Sequence, residues 1–205
     1  MPFDHLVMVL DDDQTMLKAL ERLLTAQEIR VQTFQNVEDF FSCEIPDVPS
    51  CLLLDHNLGD GMTGVQVHAE LQRRGWEIPT VFLTAHWNVQ SVVRAMRSGA
   101  DGFLTKPYDP DELVSTVKDS LVRAQEIRSN GKHAAEAKAK AATLTQRERE
   151  IVRLVVSGLL NKEIASELGL ALVTVKVHRG RVMQKLGAGN PAELVYIAGL
   201  AGLLE

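Results

Sequence analysis

Five short apolar runs, separated by segments of helical length, constrain the fold of the first 122 residues more than any other feature. The runs are Leu6–Leu10, Arg30–Phe34, Ser50–Leu54, Thr80–Leu83 and Asp101–Thr105. Between them, apolar residues recur at helical spacing at Leu17, Leu20, Leu23 and Leu24, and again at Val89, Val92, Val93 and Met96. Strands that are apolar on both faces are typical of a parallel sheet with helices on both sides. The pattern predicts a doubly wound α/β domain with a five-stranded parallel sheet.

The character of the chain changes near residue 123. Residues 123–142 are rich in Ala, Lys and Glu, and residues 130–142 contain no large apolar side chain. That composition is typical of a helix-prone, solvated linker and not of a core element. Further on, Thr145 and Glu148 match a capping box at the start of a helix with a broad apolar face. We expect a first domain at 1–122, a linker at 123–142 and a small all-α domain at 143–205.

Charge divides the chain in the same way. Residues 1–122 carry 19 acidic and 9 basic side chains, whereas residues 143–205 carry 6 acidic and 8 basic ones. This asymmetry suggests two domains with different partners, one of them polyanionic. We expect a cytoplasmic protein without a membrane span, because there is neither an export signal nor an apolar run of about 20 residues. Cys43 and Cys51 form no disulfide framework, so reduced thiols are the simpler interpretation, with a bridge between them left open.

Polar residues follow four of the predicted strands. They are Asp11, Asp12 and Asp13 after the first strand, Asp55 after the third, Thr84 after the fourth and Lys106 after the fifth. The carboxyl ends of parallel strands meet at one edge, where crowded carboxylates favour a divalent cation such as Mg²⁺. A lysine and a hydroxyl there could bind a phosphoryl group, and one aspartate could attack phosphorus. The alternative is that these acids cap the following helices, which explains Asp13 equally well but not the whole set.

These segments resemble the receiver domain of response regulators. The resemblance covers residues 6 to about 122 and rests on VLDDD, LLLDHN, FLTA and FLTKP, which end at Asp13, Asn57, Ala85 and Pro107. It implies that Asp55 is the phosphoacceptor, charged by a histidine kinase or a small phosphodonor. It further implies that Asp11, Asp12, Asp55 and the backbone carbonyl of Asn57 bind Mg²⁺. Lys106 would bind the phosphoryl group, Thr84 would close onto it, and Phe103 would be the aromatic partner of this switch.

The loop after Asp55 departs from the receiver pattern. It is one residue longer than usual and lacks a common proline, so we expect an altered loop wall beside the site. Residues 59–64 also match G-x-G-x-x-G formally, which would suggest a dinucleotide site. The first glycine comes too late after the strand, and nearby carboxylates would repel a pyrophosphate, so we favour a flexible loop. Among the histidines, only His86 has a plausible functional location, beside Thr84.

Two short helices with a tight turn between them follow in the last domain. The first, residues 161–169, ends in a glycine, and the second covers Thr174–Leu186. The second helix would bury Val175, Val182 and Leu186, and it carries four basic residues and no acid. A basic, outward-facing second helix is typical of a helix-turn-helix, which inserts that helix into the DNA major groove. Charge alone leaves open a plain helical bundle with a solvated basic face.

Residues 144–204 resemble the LuxR/FixJ-type DNA-binding domain through LTQREREIV, NKEIASELG and TVKVHRGRVMQKLG. The resemblance implies that Lys176 and Val177 approach base edges. It implies phosphate contacts for Thr174, Arg181 and Lys185, while Arg179 could serve either role. Gly180 stands where relatives can present a long base-reading side chain. Ala171 replaces a capping Ser before the helix, at a cost of about 1 kcal/mol.

We therefore interpret the chain as a two-domain response regulator and not as an enzyme. Phosphorylation of Asp55 would control DNA binding, and the family implies a homodimer in the phosphorylated state. A phosphatase or phosphotransfer enzyme that uses Asp55 as its nucleophile would need a second general acid nearby, where Asn57 stands instead. A receiver used only for protein interaction is disfavoured by the intact set of Asp12, Asp55, Thr84 and Lys106.

Overall fold

Five parallel strands form the sheet that the apolar runs predict. The structure, a computed structural model, describes residues 5–59, 62–85 and 99–204. The strands are β1 (Leu6–Leu10), β2 (Arg30–Phe34), β3 (Ser50–Asp55), β4 (Thr80–Thr84) and β5 (Gly102–Thr105). Their order in the sheet is β2-β1-β3-β4-β5, and every neighbouring pair is parallel. All the carboxyl ends therefore lie at one edge.

The helices that follow the strands begin at local capping signals. They are α1 (Gln14–Thr25), α2 (Val37–Ser42), α3 (Gly64–Arg73) and α4 (Pro110–Ala142). Asp13 caps α1 by accepting the Thr15 N–H at 2.8 Å, as the capping interpretation of this residue predicts. Thr63 and Gln66 form a capping box at α3. The helix predicted around Val89, Val92, Val93 and Met96 lies outside the described residues.

Both faces of the sheet are covered, because alternate strand residues enter different apolar clusters. In β1, Val7 and Val9 pack into one cluster with α1 and α4, whereas Leu6, Met8 and Leu10 pack into the other with α2 and α3. This confirms the doubly wound α/β fold. Cys51 is buried in β3 and Cys43 is half-buried after α2; both are free thiols, so no bridge joins them.

The chain divides into two compact units between Arg128 and Ser129. Beyond the end of α4, the second unit contains α5 (Gln146–Val156), α6 (Asn161–Leu168), α7 (Leu172–Leu186) and α8 (Pro191–Leu200). Thr145 and Glu148 form the predicted capping box at α5. Gly169 and Gly187 end α6 and α7 in left-handed conformations, with φ of 62° and 73°.

The prediction that residues 130–142 contribute nothing to a core is wrong. These residues are helical, as expected, but Ala137 and Ala141 are buried, and Ala141 belongs to the apolar cluster of the second unit with Leu144 and Leu186. Composition could not reveal this, because alanine suits a solvated helix and a closely packed one equally. The second unit therefore begins before residue 143.

Candidate functional site

The carboxyl edge of the sheet gathers the acidic residues that the sequence predicts. Asp11 follows β1 directly and Asp55 ends β3, and the pairing of Leu10 with Leu54 makes these two strands neighbours. Asp11 and Asp55 are buried, whereas Asp12 is exposed. One carboxylate oxygen of each of Asp11, Asp12 and Asp55 lies within 4.8 Å of the others. Such a set of hard oxygen donors fits a divalent cation.

Lys106 joins the two buried carboxylates. Its Nζ donates to Oδ2 of Asp11 at 2.7 Å and to Oδ1 of Asp55 at 2.6 Å. The lysine follows β5, and its backbone N–H donates to the carbonyl of Thr84 at the end of β4. The peptide bond between Lys106 and Pro107 is cis. Lys106 thus connects predicted site residues from three different strand ends.

Burial and charge act in opposite directions on this cluster. Burial raises the pKa of Asp55 above its ordinary value, although the ammonium of Lys106 and the N–H of Asn57 favour the carboxylate. For Lys106, burial opposes the charged form, but the bonds to Asp11 and Asp55 raise its pKa. The ammonium of Lys106 pairs with Asp11 and Asp55 but has no such bond to Asp12, the third carboxylate of the group, so the three acids outnumber the bridging ammonium and would attract a cation.

Backbone groups fix the remaining oxygens of the buried carboxylates. Oδ1 of Asp11 accepts the N–H of Asp13 at 2.9 Å, and Oδ2 of Asp55 accepts the N–H of Asn57 at 2.8 Å. Asn57 therefore contacts the site through its backbone N–H, and a metal contact through its backbone carbonyl stays a prediction. Gly59 adopts a φ of 69°, and a Cβ there would lie 3.1 Å from Oδ2 of Asp12.

Thr84 and Phe103 lie on the strands beside β3. Thr84 ends β4 and is buried, and β4 pairs with β3 through Asp55 and Leu83. Phe103 lies on β5, where it pairs with Phe82, and its side chain is partly exposed. These positions agree with a Thr–aromatic pair near Asp55, but the switch itself stays a prediction. The prediction for His86 lies outside the described residues.

The glycine-rich segment after Asp55 serves packing. A Cβ on Gly64, the first residue of α3, would lie 2.4 Å from the carbonyl oxygen of Asp55 and 3.2 Å from the ring of Phe82. Only glycine allows the helix to start so close to the strand. Gly59 and Gly64 are thus required by their close approach to Asp12 and Asp55, and no bound nucleotide is needed to account for them. Gly61 lies outside the described residues. This supports the preference for a loop over a dinucleotide site.

In the second unit, α6 and α7 are joined by three residues, as in a helix-turn-helix. One face of α7 packs into the unit through Val175, Val182 and Leu186, as predicted. The helix begins at Leu172, two residues earlier than expected, and Ala171 precedes it without a side-chain cap. The opposite face is exposed and carries Lys176, Val177 and Arg181.

The predicted DNA-contacting residues differ in their surroundings. Lys176, Val177 and Arg181 are exposed, and Thr174 is half-buried. Arg179 donates from Nη1 to Oδ1 of Asn161 on α6 at 2.8 Å. Lys185 donates to Oε2 of Glu148 at 2.6 Å and to the carbonyl of Thr143 at 3.1 Å. Lys185 thus has a structural role that competes with its predicted phosphate contact.

Sequence reasoning missed both partners of these basic residues. Glu148 was expected only as a capping residue, yet it is 2% exposed and pairs with Lys185, 37 positions away. Asn161, which orients Arg179, lies 18 positions from it. The members of each pair lie on different helices, so no local pattern could reveal them. The one available signal for Glu148 was its helical spacing, because it precedes the apolar residues Ile151 and Val152 by three and four positions and so shares their face of α5.

Known proteins with the same two units are similar to this chain. Two family models match it: the response regulator receiver domain at residues 7–118 and the luxR family of bacterial regulatory proteins at residues 142–198. The chain is 37% identical to nodulation protein W of Bradyrhizobium diazoefficiens, over 97% of this chain and 87% of that protein. It is 34% identical to the transcriptional regulatory protein FixJ of Azorhizobium caulinodans, over 99% of this chain and 96% of that one.

A solved structure of the response regulator StyR has a TM-score of 0.81 to this chain at 36% identity, covering 95% of this chain and 98% of that one. Full-length FixJ from B. japonicum has a TM-score of 0.56 at 29% identity, with 98% of each chain covered. Relatives and structures thus agree with both family models along nearly the whole length. The chain belongs to the response regulators of the LuxR/FixJ family, which are transcriptional regulators with a receiver domain and a LuxR-type DNA-binding domain.

Proposed function

We propose that Asp55 accepts a phosphoryl group from the phosphohistidine of a sensor histidine kinase or from a small phosphodonor. A carboxylate oxygen of Asp55 attacks phosphorus. With phosphohistidine the P–N bond breaks and its electron pair leaves with the imidazole nitrogen, whereas with acetyl phosphate the P–O bond breaks and its electron pair leaves with acetate. The observation that carries this proposal is the bridge from Lys106 to Asp11 and Asp55. An ammonium already bonded to the acceptor carboxylate can pair with a phosphoryl oxygen as negative charge arrives there.

We further propose that Asp11, Asp12, Asp55 and the backbone carbonyl of Asn57 bind Mg²⁺. The grouping of three carboxylate oxygens within 4.8 Å supports this site. Bound Mg²⁺ would offset the charge of the carboxylates and of the incoming phosphoryl oxygens. The residues themselves orient Asp55: the N–H of Asn57 and the ammonium of Lys106 fix one oxygen each.

In this proposal the hydroxyl of Thr84 donates to the phosphoryl group, and Phe103 moves with it. Thr84 lies on the strand next to Asp55, and Phe103 lies one strand further along the sheet. Phe103 is 38% exposed, and in this proposal its ring turns inward when Thr84 moves toward the phosphoryl group. The displacement would carry the state of Asp55 to the surface of the receiver.

The second unit would bind double-stranded DNA through α7. Lys176 and Val177 are exposed near the start of this helix and would face base edges, while Thr174 and Arg181 would contact phosphates. Arg179, positioned by Asn161, could serve either role. Lys185 keeps its predicted phosphate contact only if an ammonium paired with Glu148 can also reach the DNA.

The remaining parts of the proposal concern assembly and location. We place the receiver at 1–122, a connecting helical segment at 123–142 and the DNA-binding domain at 143–205, with Ala141 at the end of the connecting segment packed into the core of that last domain. Phosphorylation would produce a homodimer, and α8 exposes Val195 and Tyr196, a surface that a second copy could cover. Among the described helices, none combines the length and the apolar character needed to cross a bilayer. A cytoplasmic location and the absence of an enzymatic function of its own belong to the same proposal.

Labelling with a radioactive small phosphodonor and Mg²⁺ tests the assignment of Asp55. We expect one phosphoryl group per chain and no label in Asp55→Asn. Asp13→Asn is the matched control, since Asp13 lies at the same edge but is exposed and caps α1. Its labelling should resemble that of the unmodified protein. Undiminished label in Asp55→Asn would refute the assignment.

A further inference from the structure

One exposed stripe of α7 combines short and long side chains. Val173 precedes Lys176 and Val177 by three and four residues, and these two precede Gly180 by four and three, so all four share one face of the helix. All four are exposed, and the face opposite them is the one that packs into the second unit. The stripe is therefore the part of α7 that a ligand of this helix would meet.

Gly180 is unexpected in this stripe. It is the ninth of fifteen residues in α7, and glycine is, after proline, the poorest helix former. Its φ is not positive, so the backbone conformation does not require glycine. A Cβ at this position would meet nothing within 4 Å, so packing in the second unit does not require it either. Neither the backbone conformation nor the packing of the second unit requires glycine here, and the exposed face of Gly180 is where a ligand of α7 would impose that requirement.

The charge of α7 indicates what that ligand is. The helix carries Lys176, Arg179, Arg181 and Lys185 and no acidic residue, so a polyanion is the complementary partner. Duplex DNA also sets a strict limit on size. Its major groove is about 12 Å wide, and a helix with its side chains measures about 10–12 Å across, so the side chains facing the groove floor decide how deeply the helix enters.

We propose that Gly180 is the point where the main chain of α7 lies against the floor of the DNA major groove, so that glycine at this position sets the docking depth. This inference rests on the proposed function of the second unit. Lys176 and Val177 precede Gly180 by four and three residues on the same face, so close approach at Gly180 brings both toward the base edges. Gly180 is thus a positioning residue for sequence-specific binding.

A graded series of side chains at this position tests the inference. The full chain, with acetyl phosphate and Mg²⁺ present throughout, is used to select a preferred site from a random pool of duplexes. Affinities of the unmodified protein, Gly180→Ala and Gly180→Leu are then measured for the selected duplex and for a scrambled one. Gly131→Ala is the matched control, because Gly131 is an exposed helical glycine in α4 whose Cβ would also meet nothing within 4 Å.

We expect Gly180→Ala to raise the melting temperature of the second unit yet weaken binding to the selected duplex by about 5- to 150-fold, the range of one good base contact. Gly180→Leu should weaken it further. Binding to the scrambled duplex should change little, because no charge is lost. Gly131→Ala should raise the melting temperature and leave both affinities unchanged, which separates docking depth from helix rigidity.

Three outcomes overturn the inference. Gly180→Ala could bind the selected duplex as tightly as the unmodified protein or tighter. It could weaken both duplexes by the same factor, or Gly131→Ala could reproduce its effect. The proposed function fails in a different way, namely if the unmodified chain enriches no duplex at all, in which case the inference falls with it.

Discussion

Removing either partner of the Glu148–Lys185 pair should destabilise the second unit, but by unequal amounts. Glu148 is almost fully buried, whereas the side chain of Lys185 is 34% exposed. Lys185→Met leaves a buried carboxylate with the N–H of Thr145 as its main donor. We expect the free energy of unfolding to fall by about 3 kcal/mol, the lower end of the range for breaking a buried ion pair, because the side chain of Lys185 is partly exposed.

Glu148→Gln should cost less, about 1–2 kcal/mol. The amide oxygen can still accept the N–H of Thr145, and the ammonium of Lys185 can turn to water, so the change weakens one charge-assisted hydrogen bond. The double variant Glu148→Gln/Lys185→Met should be more stable than the sum of the single effects predicts. We expect a coupling of about 1–2 kcal/mol between the two positions, as for residues in direct contact.

The contribution of Glu148 to the free energy of unfolding should depend on pH with opposite signs in the unmodified chain and in Lys185→Met. In the unmodified chain, burial opposes ionisation of Glu148, but the bonds from Lys185 and Thr145 hold its pKa below the ordinary value. Its stabilisation is therefore present above the unfolded pKa of about 4.3 and lost as the pH falls through the folded value. In Lys185→Met, burial without the ammonium raises the folded pKa, so the deficit should shrink as the pH falls from 7 toward 5.

Urea unfolding followed by two signals isolates the effect. Both tryptophans, Trp76 and Trp87, precede residue 129, so tryptophan fluorescence reports the first unit and far-UV circular dichroism reports the helices of both. The circular dichroism transition of the second unit should move in the variants, while the fluorescence transition stays in place. The reasoning is wrong if Lys185→Met costs less than Glu148→Gln, or if its deficit grows on acidification.

Three further predictions concern the other parts of the chain. Lys176→Ala should cost about 1–3 kcal/mol on the preferred DNA site and much less on scrambled DNA, whereas Arg181→Ala should weaken both and lower the salt-dependence slope by about one unit; equal losses for Lys176→Ala on both duplexes would contradict the docking. A fragment of residues 129–205 should be more stable to urea than one of residues 143–205 by about 1–2 kcal/mol, since the shorter fragment lacks Ala137 and Ala141; equal midpoints would count against their burial. Gly64→Ala should lower the fluorescence-detected stability of the first unit by about 1–3 kcal/mol, because the carbonyl of Asp55 cannot move away from a new Cβ; an unchanged midpoint would exclude this clash.

The sequence predicts the sheet well, because its strands are apolar on both faces. The predicted third and fourth strands each end one residue early, since their pairing continues into the polar residues Asp55 and Thr84. Asp11, Asp55 and Lys106 could be placed together because parallel strands align their carboxyl ends whatever the length of the connections. That rule depends on topology alone, and the topology follows from the alternation of apolar runs and helical segments.

The contacts of the second unit could not be predicted in the same way. The pairs Glu148–Lys185 and Arg179–Asn161 depend on how α5, α6 and α7 cross, and helix crossing is set by side-chain shapes that no periodic pattern encodes. The burial of Ala137 and Ala141 was not predicted, because alanine is common both on solvent-exposed helix faces and at closely packed helix contacts. Local signals such as caps and glycine stops were reliable, whereas long-range polar pairs were not.

The two cysteines of the first unit should react with a thiol reagent at different rates. Burial and the charge of Asp101 raise the pKa of the Cys51 thiol to about 12, and the side chain is buried in the apolar cluster between the sheet and the helices α1 and α4. Alkylation of Cys51 therefore has to wait for the sheet to open, while the half-buried Cys43 can react without such opening. Because Asp55 ends the same strand, a group that binds at its carboxylate and stabilises the folded unit should slow the alkylation of Cys51. The rate of Cys51 alkylation therefore reports whether the acidic edge is occupied.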